Sequence, residues 1–217
     1  MRGARICWAL VTASFVVGFL PLPAGSTAKP EHPGEPAHTW APPAGRYEIR
    51  PPDSYVGYRI LKWGWVPVRG HFTQVAGEIV FDPAVPRRSR VEVRVPMAGL
   101  ESGNPDRTAT LLSADFFDAA RHPQMAFASE RVARGPAGDW LASGRLSIAG
   151  TTRTVTVPIE LHAASGDPSL VIFSTRFTID RRDYGVLGSR WSAGRAILDH
   201  AVEIELTLAA RRRQPPR

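Results

Sequence analysis

Sulfur chemistry is nearly absent from this sequence: 217 residues contain one cysteine, Cys7, which lies in an N-terminal segment with the order of an export signal. A chain cleaved after that segment has no thiol, which excludes a disulfide framework and a cysteine-based metal site. No apolar run reaches the roughly 20 residues that a membrane-spanning helix needs. The longest, residues 6–20, is ended by Pro21 and Pro23. Arg2 and Arg5 precede it, and small residues ending in Ser26, Thr27 and Ala28 follow. Residues 1–28 are therefore expected to be a cleaved signal peptide, and the protein to be exported to the periplasm or secreted.

Catalytic signatures are missing as well. There is no Gly-x-Ser-x-Gly elbow, no His-x-x-x-His or His-Glu-x-x-His pair and no glycine-rich phosphate loop. His71, His122, His162 and His200 are isolated, and His162 and His200 fall on the outward parity of their strands. His32 and His38 sit in a proline-rich stretch and read as solvated. Asp115 and Asp118, three apart beside Ser113, read as helix-terminus residues rather than a catalytic carboxylate pair. No enzyme activity, metal or cofactor is expected.

The formal net charge is +7. Two of the arginines behind it, Arg2 and Arg5, belong to the signal, and four more, Arg211, Arg212, Arg213 and Arg217, to a basic tail at 211–217. Removing these six leaves about +1 for the folded part, so nucleic acid is not an expected partner. A loose, transient attraction to anionic membrane surfaces remains open.

The chain does offer 43% apolar residues, enough to bury one domain's core. Residues 29–45 are proline-rich and carry few bulky side chains, which predicts an extended linker. From Tyr47 onward the dominant signal is period-two alternation. It is cleanest in Val91-Glu-Val-Arg-Val95 and in Val202-Glu-Ile-Glu-Leu-Thr-Leu208, the pattern of half-buried strands. Turn signals such as Ala149-Gly150 and Ser165-Gly-Asp-Pro168 separate eight or nine such segments. One helix-like interruption, residues 104–117, has Asn104 and Ser113 as cap candidates. Alternation alone fits either a sandwich or a closed barrel.

Val68-Arg-Gly-His-Phe72, Ser102-Gly-Asn-Pro-Asp-Arg107, Asp115-Phe-Phe-Asp118 and Arg181-Arg-Asp-Tyr-Gly185 follow one another along the chain. In this order they are similar to motifs of the YceI-like, polyisoprenoid-binding family, a resemblance that spans residues 46–210. Thr108, Thr110 and Lys62 depart from residues usual in the family. The resemblance implies an all-β, antiparallel lipocalin-like β-barrel of about eight strands with one short helical insertion. It also implies an interior that holds a polyisoprenoid or quinone-like lipid.

Combined with strand parity, it makes a lining of Tyr58, Ile60, Ile79 and Phe81 from the first strands and Val93 and Val95 from the next. Leu112, Phe116 and Phe117 come from the insertion, and Met125, Phe127 and Ile148 from the middle strands. Val155, Val157, Phe173 and Phe177 complete it, with Asn104 and Arg107 as candidates for a lipid headgroup. An enzyme acting on lipid, or a ligand-free structural or stress protein with a filled barrel, are the competing readings.

Overall fold

Alternation becomes strand over most of the chain in a computed structural model, which describes residues 41–188 and 197–214. Three strand paths are each broken once. β1 (Gly45–Ile49) and β2 (Tyr55–Lys62) flank a 3-10 turn at Pro51–Asp53. β3 (Val66–Phe72) and β4 (Ala76–Phe81) flank residues 73–75, and β5 (Arg90–Pro96) and β6 (Leu100–Glu101) flank the turn Met97–Gly99. The helix α1 (Pro105–Leu112) follows. Then come five long strands: β7 (Gln124–Arg134), β8 (Trp140–Ile148), β9 (Thr151–Ala163), β10 (Leu170–Asp180) and β11 (Leu198–Arg212).

Every pairing is antiparallel. β2 pairs with β3 and β1 with β4, β4 with β5, and β5, β7, β8, β9, β10 and β11 follow in sequence order. β11 then closes the ring by pairing with β2 over Leu198–Thr207 and with β1 over Ala210–Arg212. The eleven segments thus trace eight staves of a closed barrel.

The breaks have local causes. Pro51 and Pro52 cannot donate to a ladder. Ser54 repairs the gap there: its hydroxyl donates to the Arg50 carbonyl at 2.7 Å and accepts from the Ala209 amide at 3.1 Å. At Ala149-Gly150 both residues have positive φ, 46° and 77°, the two-residue turn that suits the twist of a hairpin. On β7 the register slips between Ser129 and Arg131, opposite Gly144. A Cβ at Gly144 would strike the Ala128 carbonyl, so this bulge needs glycine.

One buried charge holds the β10–β11 connection. Arg181, 5% exposed, donates to the carbonyls of Asp199 (2.8 Å), Val186 (2.7 Å), Leu187 (2.9 Å) and Leu198 (3.1 Å). Beside it, the hydrogen-bonded Arg182 guanidinium holds the Asp180 carboxyl down at about 2.

Two expectations are corrected. Part of the proposed linker is folded: Pro42 is fully buried, and the Tyr47 hydroxyl donates to the Pro43 carbonyl at 2.6 Å. The basic tail also begins later than 211, because β11 runs through Arg212. Its backbone finds ladder partners there, and Arg211 and Arg213 find Asp167 (2.9 Å) and Glu48 (3.1 Å). These arginines charge the barrel itself, which is therefore more basic than the expected +1. Residues 1–28 and the rest of the linker lie outside the described residues, as does Arg217.

Replacing Arg181 by Met would leave several buried carbonyls without donors. Urea unfolding should show a loss of about 2–4 kcal/mol, whereas a loss below about 0.5 kcal/mol would mean that the clamp adds little.

Candidate functional site: a blind apolar tunnel

Inward residues of β10, β11 and β2 stack in layers down the barrel. Ile179, Val202 and Ile60 form one layer, Phe177, Ile204 and Tyr58 the next, and Thr175, Leu206 and Val56 the one below. The two ends of this stack differ. At the far end Phe81 packs edge-on against Trp140 and Phe173, at ring separations of 4.8 and 6.3 Å, and Tyr47 packs on Phe173 at 6.0 Å. The Arg134 guanidinium covers the outer side of that cluster, 3.8 Å from the Trp140 ring centroid. This end is plugged.

Between the plug and α1 the barrel is not filled. A lower chamber of about 100 Å³ adjoins an upper one of about 110 Å³, and Val56, Met125, Ile148 and Ile204 line both. Both are smaller than the ~300–1,000 Å³ usual for ligand sites, so a bound chain has to spread side chains of the wall as it enters. The upper chamber is walled by Leu111, Phe116 and Phe117 from the α1 segment and by Tyr184 and Val186 after β10.

Nearly all the expected lining residues meet here. Ile79, Val93, Val95, Phe127, Val157, Phe173 and Phe177 line the lower chamber, with Met125 and Ile148. Tyr58, Ile60, Phe116 and Phe117 line the upper. Three do not line either. Phe81 is spent on the aromatic plug. Leu112 turns away by one helical step and packs against the core, while Leu111 faces the tunnel. Val155, opposite Gly144, packs against both buried clusters.

Sequence reasoning also missed members. The alternating face Val202, Ile204, Leu206 and Leu208 was legible as a strand but not assigned to the lining, and Thr175 occupies the inward position between Phe173 and Phe177. The headgroup candidates sit on α1. Asn104 caps it, its side-chain oxygen accepting from the Arg107 amide at 2.8 Å. The Arg107 guanidinium is exposed, donates to the Ser102 carbonyl, and lies near enough to Tyr58 to act on its phenol.

The tunnel wall carries little polarity. Two buried hydroxyls on it, Tyr58 Oη and Thr175 Oγ1, have no hydrogen-bond partner. Burial raises the Tyr58 phenol above its ordinary 10.0, and Arg107 partly offsets the rise. Among the described residues, no three His, Cys, Asp or Glu side chains gather to hold a metal ion.

An eight-staved antiparallel barrel around a blind apolar tunnel defines a lipocalin-like fold. More narrowly, the chain belongs to the family of the YceI-like domain, whose model matches residues 47–210. It is 27% identical over 153 residues to a UPF0312 protein of Pseudomonas putida (strain W619), covering 69% of this chain and 80% of that one. BcnA of Burkholderia cenocepacia superposes with a TM-score of 0.67 at 25% identity, over 74% of this chain and 98% of that one. A polyisoprenoid-binding domain from Saccharophagus degradans, implicated in plant cell wall breakdown, shares the fold (TM-score 0.61, 14% identity, 77% and 98% covered).

Two outcomes are expected. Ala142 is fully buried on the lower chamber wall, so Ala142→Leu should grow into free space and shift unfolding by less than about 1 kcal/mol. A loss of about 1–3 kcal/mol would indicate a solid core. In alkali, Tyr47, Tyr58 and Tyr184 all have phenols raised above 10.0, chiefly by burial. The stability that their neutral forms contribute is complete below pH 10.0 and is lost as pH rises through the raised values. Phenolate absorbance and thermal melts followed together should show late ionisation coupled to unfolding. Ionisation of all tyrosines near pH 10 with the fold intact would contradict the burial.

Proposed function

We propose that this protein binds a long apolar isoprenoid-type lipid, polyprenyl or quinone-like, in its tunnel and exchanges it with a membrane, catalysing no reaction. The observation that carries this reading is the unfilled, almost wholly apolar space closed at one end by the aromatic plug. Its length and narrow layered wall suit a chain better than a compact ligand. The polyisoprenoid-binding description of the Saccharophagus degradans domain supports the same ligand class.

Thermodynamics favours a carrier. Each CH₂ removed from water contributes about 0.8 kcal/mol, so several isoprene units would approach the practical affinity limit of roughly 20 kcal/mol if the lipid came from water. It comes instead from a bilayer, which is as apolar as the tunnel, so the net preference is small and transfer reversible. Among the described residues the tunnel wall offers the hydroxyls of Tyr58 and Thr175 but no acid–base pair, which favours a carrier over a lipid-modifying enzyme.

Contact with the bilayer has a physical candidate at the α1 end. The turn joining β2 to β3 holds Trp63 at 56% and Trp65 at 74% exposure, and the Lys62 ammonium lies 4.1 Å from the Trp63 ring centroid. Ile60 and Leu198, just inside this turn, line the upper chamber. Trp63 has φ 56°, a conformation costly for a bulky residue. Exposed indoles beside a cation suit the interfacial zone of a bilayer. The export-type sequence of residues 1–28 supports a membrane reached from the periplasm or from outside the cell.

Transfer of a fluorescent polyprenyl lipid between donor and acceptor vesicles tests this reading. The protein should accelerate transfer, and replacing Trp63 and Trp65 together by Ser should slow it roughly tenfold while equilibrium binding holds. A protein that neither takes up the probe nor accelerates its transfer would overturn the carrier reading.

A further inference from the structure

The two unpartnered hydroxyls are the least explained feature of the tunnel. Tyr58 and Thr175 occupy successive layers on opposite sides of β11, Tyr58 level with Ile204 and Thr175 level with Leu206. They are therefore about 7 Å apart in depth and about 10 Å apart around the wall at the backbone. Both side-chain oxygens are shielded from solvent and make no hydrogen bond. Each buried donor left without a partner destabilises a folded protein, a cost that a ligand with matching acceptors would remove.

Their settings differ from those of ordinary polar residues in strands. Ser174, next to Thr175, turns its hydroxyl outward to His162 at 3.2 Å. Thr175 turns inward among Phe173, Phe177 and Leu206, where valine would fill the same shape. The Tyr58 ring end rests against Gly70, its partner on β3, where any Cβ would displace the hydroxyl. Gly70 thus fixes the Tyr58 oxygen on the tunnel wall.

We propose that Tyr58 and Thr175 are paired hydroxyl anchors that donate to neutral oxygens on the lipid's head, drawing that head inside the barrel rather than leaving it at the rim. The inference rests on the carrier reading and narrows its ligand class to isoprenoids whose head is uncharged and carries hydrogen-bond-accepting oxygens. A phosphate does not suit this depth. The cation on the upper chamber wall, Arg181, is engaged with the carbonyls of Val186, Leu187, Leu198 and Asp199. Arg107, on α1, lies near enough to act on the Tyr58 phenol, but its guanidinium is engaged with the Ser102 carbonyl, and no charged side chain accompanies Thr175 among the described residues of the lower chamber wall. An anion carried down to Thr175 would lose its hydration without a countercharge among the described residues of the lower chamber wall.

Affinities of the full chain for three probes test the proposal: squalene, a geranylgeranyl-substituted benzoquinone, and geranylgeranyl diphosphate. Tyr58→Phe and Thr175→Val should each weaken quinone binding about threefold to tenfold and leave squalene binding unchanged. Unfolding midpoints of the lipid-free variants should equal or exceed the parent's, because each substitution deletes an unmade hydrogen bond. Gly70→Ala should weaken quinone binding as Tyr58→Phe does. Unchanged quinone affinity in both hydroxyl variants, equal losses for squalene, or tighter binding of the diphosphate than of the quinone would overturn the anchors and leave the carrier reading standing. Failure of the parent to bind any of the three probes would overturn the carrier reading, and the anchors with it.

Discussion

Closure of the ring through β11 is the constraint on which the rest of this structure depends. One strand serves three neighbours: β10 along its length, β2 on its first part and β1 at its end. That division is possible because the opening stave is kinked at Pro51–Asp53, with Ser54 carrying the backbone hydrogen bonds across the kink. Every inward side chain must then share one enclosed interior. With eight staves, such an interior can be filled by side chains or can hold a ligand.

Which of these occurs is decided by side-chain volume along the axis. Near the plug the inward positions carry aromatic rings, Tyr47, Phe81, Trp140 and Phe173, whose edges meet and exclude a ligand. Higher up the wall is mostly Val, Ile, Leu and Ala, joined by Tyr58, Phe127 and Phe177, and the narrow chambers remain between them. The α1 segment then lays Leu111, Phe116 and Phe117 over the upper chamber instead of packing it solid. The result is polarised: a dry, closed base and a roofed chamber next to the exposed Trp63 and Trp65.

Much of this was legible in the sequence, for reasons that vary by element. Strand parity put Val93, Val95, Phe127, Val157, Phe173 and Phe177 on one shared face, and all six line the lower chamber, because the period of two is a local property of the chain. Asn104 as the cap of α1 was legible on similar grounds. Parity reports the face of a strand but not the height along the barrel, and so it could not separate Phe81 in the plug from Ile79 in the chamber. The choice of Leu111 over Leu112 depends on how α1 is rotated against the barrel, a tertiary matter. The clamp made by Arg181 was hidden because its partners are backbone carbonyls, which leave no trace in side-chain identity. Arg211–Arg213 read as a tail because their partners, Asp167 and Glu48, are distant in sequence.

The central claim is that the tunnel is a lipid site and not a packing defect. Extraction of the protein, purified without detergent from its native host, with organic solvent followed by mass spectrometry tests it most directly. The account predicts close to one apolar lipid per chain, in species whose masses differ by whole isoprene units. Protein recovered free of lipid, and remaining so after incubation with vesicles containing polyprenyl lipids, would contradict it.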